Sequence, residues 1–164
     1  MIAPTTNAAD QNTDRITEAV RLPQPPARVW RALTDPAELG AWFGADLTSA
    51  TIAPGARVRG SLTHKGYEHV MLDVIIEEMV PERRFSWRWH PHALDGSIDY
   101  AAEARTLVEF TLEGTADGGT LLRVVESGFD ALSSPRRATA FLGNSKGWVG
   151  QLQKRIPAYL ASAS

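Results

Sequence analysis

Ser133–Leu160, SSPRRATAFLGNSKGWVGQLQKRIPAYL, is the stretch on which the fold turns. Phe141, Ser145, Trp148, Leu152, Ile156 and Tyr159 recur at steps of three and four, and Leu142, Val149 and Leu160 widen the same arc. Helical residues advance by about 100° each, so this spacing predicts an amphipathic helix with one broad apolar face. Ser133 or Ser134 offers an N-cap oxygen to the orphan N–H groups of the first turn, and Pro135 suits a position where no donor is needed. Pro157 removes a donor and sets its ring against the Gln153 carbonyl, which predicts a kink or break near Ile156 with Tyr159 and Leu160 in a separate last turn. Gly143, Gly147 and Gly150 project opposite the apolar face, toward solvent, where each weakens the helix by up to about 1 kcal/mol relative to Ala.

Working outward, everything upstream has to supply a surface for that face. Arg15 to Leu22 alternates as a first strand until Pro23-Gln24-Pro25-Pro26 stops it. Pro25 or Pro26 opens a short helix carrying Val29, Trp30 and Leu33. Asp35 then caps a second, with Pro36 at its first position, Glu38 at its third, Leu39, Trp42 and Phe43 as apolar content and Gly44 as its stop. From Ala45 to Glu126 the period is two. Strands are predicted over Leu47–Ile52, Arg57–Thr63 and His69–Val80. Phe85–His90 follows with three aromatic residues alternating with three polar ones, and then Thr106–Glu113 and Thr120–Glu126, a hairpin across Asp117-Gly118-Gly119. Pro91–Arg105 is a long loop with a helical turn at Tyr100. Strands segregated from helices define an α+β class, a sheet wrapped around one long helix.

The 164 residues make one domain, Arg15 to Ser164, preceded by Met1–Asp14, whose Ala, Thr, Asn and Asp content without period is expected to be a disordered tail. A net charge of −2 with both signs dispersed points away from nucleic acid. No run approaches the ~20 apolar residues of a membrane helix, and the N-terminus lacks an apolar signal core. With no cysteine in the chain, disulfide and thiol chemistry are excluded, and a cytoplasmic protein is the expectation.

Val29-Trp30-Arg31-Ala32-Leu33-Thr34-Asp35-Pro36 followed by Ala41-Trp42-Phe43-Gly44 resembles the opening motif of the family of activators of heat-shock protein 90 ATPase, within the START-like (SRPBCC, Bet v-like) superfamily. Pro81-Glu82-Arg83-Arg84-Phe85-Ser86-Trp87 resembles the turn before its central aromatic strand; Glu126-Ser127-Gly128-Phe129 and Gly147-Trp148 with Leu152 resemble its closing motifs. The resemblance spans about residues 15 to 160. It implies a helix-grip fold: a curved antiparallel sheet of about six or seven strands around the C-terminal helix, often with an apolar cavity between them. The superfamily includes carriers, enzymes and co-chaperone domains, so the fold alone does not choose among them.

Candidate residues follow from facing. Phe85, Trp87 and Trp89 share one strand face, and Phe141, Trp148 and Leu152 face them from the helix; Phe110, Trp42 and Phe43 complete the aromatic set. Such a set either fills a core or lines a pocket for an apolar or aromatic ligand. Glu126 falls in register with Leu122 and Val124 on the inward face; its plain reading is a strand-end carboxylate reaching solvent or the Ser127-Gly128 turn, its functional one a buried group in the cavity. His90-Pro91-His92 lacks the further ligands a metal needs, and His64 and His69 read as solvated loop residues. No nucleophile, nucleotide or paired-carboxylate motif is visible, so no cofactor is expected and a chaperone ATPase could only be a partner. The reading is a carrier or binding module for a small hydrophobic ligand. The alternatives are a single-domain, stress-response regulator of a heat-shock protein 90 type ATPase, and an acid–base enzyme using the same cavity.

Overall fold

The computed structural model describes residues 14–163, so the tail expected over residues 1–13 lies outside the described residues. Asp14, read as the end of that tail, is docked: its carbonyl accepts from the N–H groups of Gly128 and Phe129, and its carboxylate accepts from Asp130 N–H at 2.9 Å.

Six strands form one antiparallel sheet: β1 (Arg15–Leu22), β2 (Arg57–Ser61), β3 (Met71–Val80), β4 (Arg84–Trp89), β5 (Thr106–Gly114) and β6 (Thr120–Ser127). Their spatial order is β1-β6-β5-β4-β3-β2, so only β1 crosses over, to pair with β6. The period-two pattern puts Phe85, Trp87, Val108, Phe110, Leu122 and Val124 on the concave face, all buried. The register sets Glu126 opposite Ile16 on one side and Val108 on the other, which places its carboxylate on that same face. A bulge between Ile76 and Glu78 shifts the pairing of β3 with β4; before it, plain alternation buries Leu72, Val74 and Ile76 and leaves Met71 exposed.

The predicted strand over Leu47–Ile52 is absent. Asp46 Oδ1 accepts from the N–H and hydroxyl of Thr48, and Ala50 N–H turns back to the Leu47 carbonyl, so the segment satisfies its backbone locally. Helices α1 (Pro26–Thr34) and α2 (Pro36–Phe43) form as expected, each opened by proline. Asp35 caps α2 through Glu38 N–H at 3.0 Å. Only half the capping box closes, because Glu38 turns away to Arg28, Arg31 and the Tyr159 hydroxyl. Burial pushes the Glu38 carboxyl up, but the Tyr159 hydroxyl and the two guanidinium groups outweigh it and hold its pKa below the usual value. Gly44 ends α2 at φ 99°, a left-handed conformation that costs glycine least, with the His64 ring against its α-carbon.

The C-terminal helix crosses the concave face as α3 (Ser134–Gly150), a wide-turned segment (Gln151–Arg155) and α4 (Ile156–Ser162), 29 residues without interruption. Pro157 therefore does not break it. In the wide segment the bonding shifts to i−5, Ile156 N–H donating to the Gln151 carbonyl, and this local rephasing accommodates the missing proline donor. The buried stripe runs at steps of four, Ala140, Trp148, Leu152, Ile156 and Leu160, narrower than the predicted arc: Leu142 and Val149 are exposed, at 60% and 44%. Gly147 and Gly150 meet open space, as expected for the solvent side. Gly143 does not, since a β-carbon there would lie 2.5 Å from the imidazole of His92.

A buried carboxylate and the cleft beside it

Glu126 is fully buried, and the side chains around it are all neutral donors. Trp148 Nε1 donates to Oε1 at 2.8 Å, Trp89 Nε1 to Oε2 at 2.8 Å, Thr106 Oγ1 to Oε2 at 2.6 Å, and the Asn144 amide to both oxygens at 3.0 and 3.2 Å. No ion pair reaches it among the described residues. The strand-end reading is thus corrected: strand register carries Glu126 inward, and four convergent donors replace the water it loses. They tie β4, β5, β6 and α3 to one point.

Around this point the aromatic side chains close on one another. Phe43 lies 6.1, 6.0 and 6.2 Å from Trp87, Trp89 and Trp148, edge to face. Trp87 meets Phe110 at 5.3 Å, and Phe110 meets Trp148 at 5.7 Å, spacings at which rings attract. Phe85 and Leu152 are fully buried in the same core. Trp42 is buried with its indole N–H on the Ala32 carbonyl at 2.8 Å, fastening α2 to α1, and Phe141 sits apart, packed on Phe129. One donor has no partner: Trp87 Nε1, deep in the cluster.

Space opens at one end of this packing. A cleft of about 450 Å³ lies between the start of β3, the end of β4, α3 at Asn144 and the loop 91–105. Of the ten residues read as cavity lining, Phe43 and Trp89 face it; the structure adds Leu62, Leu72, Leu94 and Asn144. Met71 and Ile98, both 46% exposed, form its apolar lip. Arg136, in the first turns of α3, fastens both ends of the loop: its guanidinium bonds the Pro91 and His92 carbonyls, pairs with Glu103 at 3.0 Å and lies over the Tyr100 ring at 4.7 Å. The predicted turn is there, as Tyr100–Ala102.

The polar groups of the cleft divide into satisfied and unsatisfied ones. Arg57 bonds Asp73 through two nitrogens at 2.9 and 2.7 Å and holds its carboxyl below the usual range. His90 lines the cleft with both ring nitrogens buried and unpartnered; the Ala104 backbone is near without meeting hydrogen-bond geometry. Burial, with Arg105 adding to it, lowers the pKa of His90, and burial with Arg136 lowers that of His92. His64, read as solvated, is partly buried beside Arg155, and burial lowers its pKa too. Among the described residues no three His, Asp or Glu side chains gather as a metal would require. Sequence reasoning missed Thr106 and Asn144. Asn144 had a signal, being the one polar residue on the step-of-four stripe between Ala140 and Trp148.

An open antiparallel sheet gripping one long helix, with two short helices after the first strand, is the START-like, SRPBCC architecture. Residues 23–161 match the family described as Activator of Hsp90 ATPase homolog 1-like protein, and the chain belongs to that family. Among solved structures it is similar to protein MLL2253 from Mesorhizobium loti, at 26% identity and a TM-score of 0.67, over 92% of this chain and 98% of that one. It is also similar to DynU16, a protein in the dynemicin biosynthetic locus, at 25% identity and a TM-score of 0.67, over 92% of this chain but 48% of that one. Protein Ms6760 from Mycobacterium smegmatis shares the fold at 19% identity, with a TM-score of 0.67 and coverage of 93% and 94%. No curated protein matches the sequence. No helix among the described residues is long and apolar enough to cross a membrane.

Proposed function

We propose that this chain is a binding or carrier module for a small apolar or aromatic molecule, seated in the cleft at the open end of the grip. The observation that carries the reading is the cleft itself. Its volume of about 450 Å³ falls in the range of small-molecule sites, roughly 300–1,000 Å³, and its walls combine apolar side chains with polar and charged ones, among them Arg57, Asp73, His90 and Asn144. The family's fold is in general one of ligand binding or carriage, which supports the same reading. In such a site contact area supplies most of the affinity, while a polar group fixes orientation. Phe43 and Trp89, at the edge of the aromatic cluster, form the inner wall of the cleft.

A second reading, regulation of a heat-shock protein 90 type ATPase, draws on the family's description and on the exposed pair Leu142 and Val149 on the outer side of α3. One comparison separates the two. Native mass spectrometry of the purified protein is followed by thermal shift against a panel of lipids, flavonoids and other apolar molecules. A co-purified mass, or a melting temperature that climbs with ligand concentration as mass action requires, is the expected result. A protein that carries nothing and responds to nothing, yet stimulates a chaperone ATPase, would overturn the carrier reading in favour of the second.

A further inference from the structure

Glu126 does more than seal the core: it holds the amide nitrogen of Asn144, a residue of the cleft wall. An amide side chain has a donor end and an acceptor end, and its orientation follows from its neighbours. Oε1 of Glu126 already accepts the Trp148 indole N–H and Oε2 that of Trp89, so both oxygens act as acceptors. Asn144 must therefore turn its NH2 toward Glu126, as observed at 3.0 and 3.2 Å. Its Oδ1 is left directed away from the carboxylate and accepts no hydrogen bond from any described residue, although Asn144 forms part of the cleft wall. A flipped amide would set its carbonyl against a carboxylate and would forfeit both bonds.

We infer that the cleft selects ligands bearing a hydroxyl or N–H donor, which binds Asn144 Oδ1, and that Glu126 is the positioning residue that keeps that acceptor turned outward. This rests on the cleft being the binding site and names the chemistry of what binds there: an apolar or aromatic body with one donor, such as a phenol, an enol or an amide N–H. His90, whose buried ring nitrogens lack partners in the same cleft, provides a second polar contact for such a group. Arg57 is not available for this role, because Asp73 already occupies it.

The test uses two probes of the same shape, 2-naphthol with an O–H donor and 2-methylnaphthalene with a methyl in its place. Tryptophan fluorescence titration follows their affinities for the full chain and for Asn144→Leu, which keeps the side-chain volume and removes the amide. Asn144→Leu is expected to weaken 2-naphthol about three- to tenfold, the worth of one net hydrogen bond, and to change 2-methylnaphthalene less than twofold. The ratio of the two affinities is the readout, since general loosening of the site would weaken both probes alike. Asn144→Ala repeats the measurement if the leucine variant does not fold. Equal losses for both probes, or none for 2-naphthol, would overturn the donor rule while leaving the cleft as the site. Failure of both probes to bind the unaltered protein would remove the cleft reading itself and the donor rule with it.

Discussion

Trp148 and Asn144 stand one helical turn apart on the same face of α3 and look onto two unlike regions. At Trp148 the space between sheet and helix is closed: five aromatic rings contact one another, and the carboxylate beneath them is bonded on both oxygens. At Asn144 the same sheet and helix leave a cleft of about 450 Å³ whose polar atoms are only partly satisfied. Both lie between the one sheet and the one helix, the closed region over β4 to β6 and the cleft at the start of β3 and the end of β4. Side-chain volume distinguishes them. Indoles reach across the grip and meet, whereas a small amide opposite the Pro91–Arg105 loop cannot. The fold sets the position of a possible site, and the placement of a few large residues determines how much of it remains open.

The sharpest way to break this contrast is at the carboxylate. Glu126→Gln keeps the shape but presents an NH2 to donors that need acceptors, leaving at least one indole N–H buried and unpaired. A loss of about 3 kcal/mol in chemical denaturation is expected; a loss below about 1 kcal/mol would mean the bonds from the four donors hold little. Next, the two buried tryptophans separate packing from hydrogen bonding. Trp148→Phe and Trp87→Phe remove the same ring volume, but only Trp148 Nε1 has a partner. Trp148→Phe should therefore cost about 2 kcal/mol more than Trp87→Phe, and equal losses would reduce the contrast to packing alone. The smallest effect belongs to the cleft wall. Arg136→Met frees both ends of the loop while sparing the core, so global stability should fall by about 1 kcal/mol. Amide hydrogen exchange should rise in residues 91–105 and stay unchanged in β4 to β6.

Much of this contrast was legible in the sequence, for physical reasons that also mark its limits. Period two and period 3.6 are local properties, so the six strands and the long helix could be read along the chain, although the same pattern also suggested a strand over Leu47–Ile52 that does not form. The turn chemistry of Asp35-Pro36 and Gly44 was equally local. Glu126 was visible as a carboxylate on an apolar face, but its donors come from Trp89, Thr106, Asn144 and Trp148, 37, 20, 18 and 22 residues away. No spacing rule connects such a set, which is why the solvent-reaching reading was the wrong one. Gly143 failed similarly: a helical projection shows which side a residue takes, not that His92 from a distant loop will lie against it. The cleft was hidden because its outer wall, Pro91–Arg105, has no period at all. Contacts formed in the folded chain, the Arg136 clamp foremost among them, hold that segment over the end of the sheet.

The central claim, that an apolar ligand seats in the end cleft and not among the core aromatics, is most directly tested by the side-chain region of a proton–nitrogen correlation spectrum during titration with 2-naphthol. The five indole N–H signals and the Asn144 amide report separately on the two regions. The account predicts that Trp89 Nε1 and the Asn144 amide move with saturating dependence while Trp30 and Trp42 stay fixed. Movement of Trp42 with Trp89 and Asn144 unchanged, or a spectrum that does not respond, would contradict it.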